Sequence, residues 1–440
     1  MNVELAQGSR ILPAQRIDAL SHTLWLTLGV VLLGNSIARG IRAPGRWVYT
    51  EMLLNYDFGF SKRGLLGSVI STLHISALYH YNFCFWYCIT LFVINTALLI
   101  SLMRKLCVTG DNEARWVVLI FSSSLAAVMF AHTIGYGDQT GLLITLLALR
   151  VERFNLRAAL VSILFPLSML VHESNVVLFF PVVVLRFLLD LGSRPSKGRL
   201  VALGATILSV VATFFFLGST HVSATLAHEM YNELQAKANY PLREDQFLWI
   251  TATFSDTIRS VIQDWSEPWY PWWFFDNWIV TFPTTAYLIF RSWRSLSENY
   301  HAPLIRCAAI AASLAPLSMH LIGLDLNRWT TLATTTSFLT LTAIALTSRT
   351  VPTTPGPRKG VPVIPALLIA MNLGSTVPLF DGYAVQNFPY SEHIHDLIEM
   401  IDGDAPFPPE PEQCVESGCL AIVNGLYSRS AVSAKDAHPQ

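Results

Sequence analysis

The stretch Ala158 to Leu191, AALVSILFPLSMLVHESNVVLFFPVVVLRFLLDL, decides how this chain folds. Its length would allow one bilayer crossing, which takes about 20 apolar residues when perpendicular. Yet His172-Glu173-Ser174-Asn175 falls in the middle, and a charged carboxylate at mid-bilayer is costly. Two short spans, 158–171 and 174–190, joined by a hairpin with its tip just below one surface, avoid that cost. The tip then holds His172 and Glu173 in a recessed, partly dry position.

Working outward, further apolar runs lie at about 19–37, 83–103, 115–132, 139–151, 200–218, 274–290, 303–322, 329–347 and 361–379. With the hairpin pair they make about eleven transmembrane helices, so the expected class is an all-α polytopic membrane protein. Composition agrees. Of the 440 residues 52% are hydrophobic and 13% charged, and mean hydropathy is +0.44, outside the soluble range. The net charge of -1 and the lack of a basic tail exclude nucleic acid as the expected partner. Cys84, Cys88, Cys107 and Cys307 sit in or near apolar runs and read as packing residues.

The polar knots between these runs differ in character. Arg104-Lys105, Arg150 to Arg157, Arg186 to Arg199, Arg291 to Arg294 and Arg349 to Lys359 are basic, which places them in the cytoplasm under the positive-inside rule. Asp57, Lys62-Arg63, Asp138, His172-Glu173 and Asp325-Asn327-Arg328 then gather on the outer face. The first run, Ala19 to Ile37, has no small-residue cleavage site and reads as a signal anchor with the N-terminus in the cytoplasm. Residues 1–379 form the membrane domain, with outer loops at 39–82 and 219–275. Residues 380–440 form a short extracytoplasmic tail, in which Cys414 and Cys419 can close a small disulfide loop. Leu65 to Tyr79, apolar but unable to cross without inverting every later charge bias, reads as a helix lying in the outer interface. Trp265, Trp269, Tyr270, Trp272 and Trp273 read as an interfacial aromatic belt or a stacking platform for sugar or isoprenoid.

Four outer clusters carry the chemistry. In Asn55-Tyr56-Asp57-Phe58-Gly59-Phe60-Ser61-Lys62-Arg63-Gly64, a carboxylate beside adjacent cations suits a base next to a phosphate cradle; a salt-bridged loop is the competing reading. In Gly135-Tyr136-Gly137-Asp138-Gln139, Asp138 suits either chemistry or helix capping. His172-Glu173 lacks the second His of a zinc-protease motif, and His228-Glu229 reads as a solvated helix face. The fourth cluster holds His320, Asp325, Asn327, Arg328 and Trp329. There Arg328 can clamp a phosphate or merely pair with Asp325 at i,i+3.

Together these features resemble the GT-C superfamily of integral-membrane glycosyltransferases, by topology and by the placement of outer-face acidic residues. The resemblance implies a polyprenyl-phosphate-linked sugar donor, a glycan or lipid acceptor, and an active site on the periplasmic or luminal face, with a bacterial inner membrane as the expected location. It makes Asp57, in the first outer loop, the essential acid and Asp138 the second. Lys62, Arg63 and Arg328 are then expected to hold the phosphate, with His172, Glu173, His320 and Asp325 contacting substrate. No cofactor is required, though His172 and Glu173 leave room for a divalent metal. Rival readings are an O-antigen-type polymerase or ligase, which shares an outer arginine-bearing site, and a secondary transporter, whose pathway the Thr-rich run 329–347 could line.

Overall fold

The structure, a computed structural model, describes residues 13–109, 112–266, 269–299, 303–323, 325–347, 362–379 and 384–390, with residues 394 and 398. The runs 350–360 and 405–412 and the Cys414–Cys419 pair lie outside these. Secondary structure is helical, with no strand among the described residues beyond a single Pro378–Ala384 bridge. In chain order the helices are α1 (Pro13–Gly40), α2 (Arg46–Leu53), α3 (Leu65–Leu73), α4 (Tyr81–Thr109), α5 (Asn112–Ser122) and α6 (Leu125–His132). Then come α7 (Asp138–Arg150), α8 (Phe154–Val171), α9 (Asn175–Leu178), α10 (Phe180–Ser193), α11 (Lys197–Ser219) and α12 (Ala224–Lys237). The last six are α13 (Glu244–Trp249), α14 (Phe254–Ser266), α15 (Trp269–Asn299), α16 (Pro303–Leu314), α17 (Leu326–Thr347) and α18 (Val363–Gly374).

Five of the segments are long and apolar enough to cross a membrane, or six if α5 and α6, bent by 44° at Ser123-Ser124, count as one. The other expected crossings are helical too, but α7, α10 and α18 are short and α15 and α17 less apolar. The exposed faces fit lipid. On α11, Leu200, Val201, Leu208 and Phe215 point outward, each more than half exposed. Water would penalise such a stripe, whereas hydrocarbon does not. As expected, a chain break falls at His172: α8 ends at Val171 and α9 starts at Asn175.

Hydroxyl groups join the helices where there is no hydrophobic gain from burial. Ser162 of α8 donates to Thr206 of α11 at 3.0 Å, and Ser209 donates back to the Ser162 carbonyl at 2.9 Å. Thr285 of α15 meets Thr334 of α17 at 2.7 Å. Helix α17 is buried along nearly its whole length, packed by α15, α16, α10 and α6. Its many threonines follow from that position. They are compact, and many of their hydroxyls turn back to carbonyls three or four residues earlier, as in Thr330, Thr331, Thr336 and Thr342, which satisfies them within the helix; Thr336 also reaches the Ser313 carbonyl of α16 at 2.8 Å.

The polar residues separate to the two ends of the bundle. At one end Arg157, fully buried at the start of α8, donates to Asp190 Oδ2 at 2.5 Å and to the Val151 carbonyl. Arg186 joins the end of α17 there through Ala343 O and Thr347. His172, 15 residues beyond Arg157, lies about 22 Å away at the helical rise, at the end where α6 and α8 finish and α7 and α17 begin.

At that second end a cap covers the bundle. Helix α2 packs on α3, and α13, paired with α12, settles on α2. Arg46 donates to Pro241 O and Leu242 O, Arg243 N to Thr50, and Gln246 to Trp47 O. Tyr49, Tyr81 and Tyr240 meet edge to face and tilted within a satellite core that includes Met230, Leu234 and Phe247. The expected interfacial helix is α3 followed by a 3-10 turn, Ser76–Tyr79, with Val69, Leu73 and Ile75 exposed. Residues 375–379 strap the same end: Arg39, 1% exposed, donates to Asn372 O and Ser375 O, and Asn327 donates to Pro378 O.

Candidate functional site

A chain of alternating charges crosses the capped end, supplied by five parts of the sequence. Arg63, between α2 and α3, forks onto Glu173: Nε and Nη2 donate to Oε2 and Oε1, each at 2.9 Å. Its Nη1 lies 3.8 Å from Glu51 Oε1 on α2. His172 Nδ1 is 2.9 Å from that same oxygen. Arg328, on the first turn of α17, forks onto Asp138 at the start of α7, with Nε to Oδ2 at 2.6 Å and Nη2 to Oδ1 at 2.8 Å. Arg328 Nη1 reaches Asp325 Oδ2 at 2.7 Å, and Nη2 stands 3.0 Å from His172 Nε2.

This geometry fixes the histidine's tautomer. A guanidinium only donates and an ionised carboxylate only accepts. His172 Nε2 therefore accepts from Arg328, and Nδ1 carries the proton given to Glu51. Burial is deep: the side chains of Arg328, His172, Asp138 and Glu51 are 4–7% exposed. Burial alone would raise the Glu51 and Glu173 carboxyls, but the Arg63 guanidinium, with the His172 hydrogen bond at Glu51, outweighs it and holds both below the usual carboxylate range. Arg328 is also sandwiched, with its guanidinium carbon 5.0 Å from the Tyr136 ring centre and 4.3 Å from that of Trp329, a cation–π arrangement.

Local sequence explains the convergence. In Gly135-Tyr136-Gly137, Gly135 adopts φ +83, which an L side chain rarely does. A Cβ on Gly137 would lie 2.3 Å from His172 Cβ, so only glycine lets the α8 terminus sit against the start of α7. Asn175 staples that junction, donating to Gly137 O and Ser168 O at 3.2 and 3.1 Å.

Beside the network lies a cleft of about 340 Å³. Lys62, Arg63, His172, Glu173, Asp325 and Arg328 form its polar wall. Val177, Phe214 and Leu217 form an apolar wall, and Gln246, Trp249 and Ile250 of the cap face it with Trp47 and Trp329. Lys62 Nζ donates to the Ala252 carbonyl at 3.1 Å and makes no ion pair among the described residues. Asp325 and Glu173 are the accessible carboxylates, 42% and 29% exposed at the side chain.

The structure thus brings together Arg63, Asp138, His172, Glu173, Asp325 and Arg328, with Lys62 on the same cleft. It does not bring Asp57. That residue is exposed, accepts from Ser71 Oγ at 2.5 Å and does not line the cleft. The expected pairing of Asp57 with Lys62 and Arg63 is not made, because Arg63 turns inward through φ 64 and Lys62 reaches the cap. His320 is buried and does not line the cleft, its carbonyl taking a bond from Trp265. His228 and Glu229 are exposed on α12, as expected. The side chains of Trp269, Tyr270, Trp272 and Trp273 lie outside the described residues. Among the described residues no group of three His, Cys, Asp or Glu side chains is arranged to hold a metal ion.

Glu51 was not foreseen. Its one sequence signal is its setting: a carboxylate inside Val48-Tyr49-Thr50-Glu51-Met52-Leu53-Leu54 has no charged neighbour in that run, so it needs a cation from elsewhere. Gln246 and Trp249 carry no such mark.

No protein-family model matches the chain, nor does any curated protein or solved structure.

Proposed function

We propose that this protein is an integral-membrane glycosyltransferase with about eleven crossings, its capped end on the extracytoplasmic face. It moves a sugar from a polyprenyl-phosphate donor to an acceptor hydroxyl. One observation carries the reading: a single cleft joins an accessible carboxylate and an unpaired lysine to an apolar wall on α11, whose neighbouring Phe215 and Phe216 are exposed to the surroundings. A substrate with a charged head and an isoprenoid tail needs that combination.

In this reading the tail lies along Phe214 and Leu217 and the phosphate meets Lys62 and the open edge of Arg63. Asp325 serves as the base. Both oxygens of Asp138 and of Glu173 are held by guanidinium forks, whereas Asp325, which meets Arg328 through Oδ2, is 42% exposed and stands at the opening. The acceptor hydroxyl gives its proton to Asp325 as its oxygen bonds the anomeric carbon. The bond from that carbon to the phosphate oxygen breaks, and polyprenyl phosphate leaves with the electron pair. Lys62 offsets the charge that grows on the leaving oxygen. No metal is needed for this sequence of events.

The test is sugar transfer by the reconstituted protein from radiolabelled polyprenyl-phosphate sugars. Asp325→Asn is expected to lower kcat by about a hundredfold or more, the low end for losing a general base. Lys62→Ala is expected to raise KM for the donor. Normal turnover by well-folded Asp325→Asn would remove the proposed base.

A further inference from the structure

The cap side of the cleft has a chemistry that the charged side lacks, and it carries no charge. Gln246, 2% exposed, uses its carboxamide nitrogen on the Trp47 carbonyl at 2.9 Å. That bond fixes which way the amide faces, since a carbonyl accepts only from the NH2 end. The other end, Oε1, is buried without a hydrogen-bond partner, although its residue lines the cleft. On the same cleft Trp329, 3% exposed, has an indole Nε1 that is likewise buried and unpartnered. Buried polar atoms in such a state are destabilising until something pairs with them.

The two orphans ask for opposite things. Oε1 needs a donor and Nε1 needs an acceptor. A phosphate at neutral pH mainly accepts and an ammonium only donates, but a hydroxyl does both. Around them stand indoles. Trp249 lies at i+3 from Gln246 on α13, so both side chains share one face; it is 38% exposed. Trp47 lines the same cleft, with Arg243 over its ring at 5.4 Å. Neutral hydroxyls set against aromatic faces describe a sugar ring, whose C–H faces pack on indoles while its edges exchange hydrogen bonds.

We infer that Gln246, Trp249, Trp47 and Trp329 form a subsite for a neutral saccharide, the acceptor of the transfer, held against the cap and opposite the site of the lipid phosphate. The word acceptor rests on the transferase reading; the saccharide subsite does not. The 340 Å³ volume is at the small end of ligand clefts and suits one or two rings rather than a long chain.

The experiment is saturation-transfer difference NMR on the full-length protein in lipid nanodiscs, with methyl glycosides of β-glucopyranose, α-mannopyranose and α-rhamnopyranose as probes and no donor present. Ring-proton saturation is expected for at least one glycoside. Trp249→Ala should weaken it by about tenfold while Trp249→Phe retains most of it. Gln246→Leu should also cost about tenfold, the worth of one hydrogen bond to a buried group. Absence of saturation for all three glycosides in a folded wild-type protein would overturn the inference. So would binding that Trp249→Ala and Gln246→Leu both leave unchanged. Release of polyprenyl phosphate, measured in parallel, separates the two ideas. Glycoside binding without donor turnover would sink the transferase reading and leave the saccharide subsite standing. Donor turnover whose acceptor KM ignores Trp249→Ala would do the reverse.

Discussion

Removing one member of the Asp138–Arg328 pair should be much worse than removing both. The pair is joined by two charge-assisted bonds, 2.6 and 2.8 Å long, between side chains 6% and 4% exposed. Asp138→Leu leaves the guanidinium buried, with only Asp325, which is half in solvent, as an anionic partner. Arg328→Leu leaves a buried carboxylate facing His172 and Ser174, the latter 3.5 Å away. Breaking a buried pair from one side costs about 3–5 kcal/mol, whereas an apolar replacement of both partners is often close to neutral. The double Leu variant should therefore recover to within about 2 kcal/mol of wild type, partly because cation–π contacts with Tyr136 and Trp329 are also lost. The assay is a double-mutant cycle on unfolding in detergent, followed by tryptophan fluorescence. Additive effects within about 0.5 kcal/mol, the expectation for independent sites, would refute a buried, directly paired Asp138 and Arg328.

Gly137→Ala should destabilise by about 1–3 kcal/mol, the usual cost of overpacking, since its methyl would lie 2.3 Å from His172 Cβ; an unchanged unfolding midpoint would show that the α7–α8 junction is looser than described. The pH dependence follows from the directions at Glu51 and Glu173. Both carboxyls are lowered in the folded state, so the stability they contribute is present above their unfolded values, near 4.3, and is lost as pH falls through the lower folded ones. The share of stability owed to these two carboxyls should thus stay level from pH 7 to about 5. Arg63→Met removes the charge that lowers them and leaves burial, which raises them, so its midpoint should begin to fall at a higher pH than wild type; parallel curves would contradict Arg63 as the cause. Asp57→Asn should leave donor turnover within about twofold of wild type and cost about 0–1 kcal/mol, as for an exposed polar contact. A hundredfold loss in a stable protein would return Asp57 to the chemistry.

Much of the frame was legible because apolar runs and charge bias are strong local signals. The break at His172 could be read from cost alone, since a carboxylate inside an otherwise apolar run needs an exit or a partner. Partner choice was harder. Arg63 lies six residues from Asp57 and 110 from Glu173, yet it pairs with the distant one. The cause is a left-handed backbone at Arg63, which no residue type announces, since φ > 0 in a non-glycine is uncommon. Glu51 escaped notice for a related reason: the reading followed polar knots, and Glu51 has none around it. Asp138 and Arg328 were both marked but never joined, because 190 residues separate them and sequence spacing carries no information about such pairs. The threonines of α17 were weighed as a pathway lining; packing on every side and hydroxyls turned back onto the helix make them the mark of a central helix.

Exposure divides the cluster into two kinds of group, and that division matters more than its total charge. Glu51, Asp138, His172 and Arg328 are almost fully buried, each tied by at least one short bond to an oppositely suited partner. A group so held changes protonation or position only at the expense of its partner, which fits it to fix the ends of α2, α7, α8 and α17 in register. Asp325 and Lys62 differ. Each lines the cleft; Asp325 is 42% exposed, and Lys62 donates to a neutral carbonyl. The residues that hold the site together and the residues that face the cleft are therefore largely distinct sets. Arg63 joins them, 20% exposed at the cleft while its fork is anchored on Glu173. A variant series across the cleft should accordingly separate into changes that unfold the capped end and changes that leave it folded but inactive, with Arg63 showing both effects.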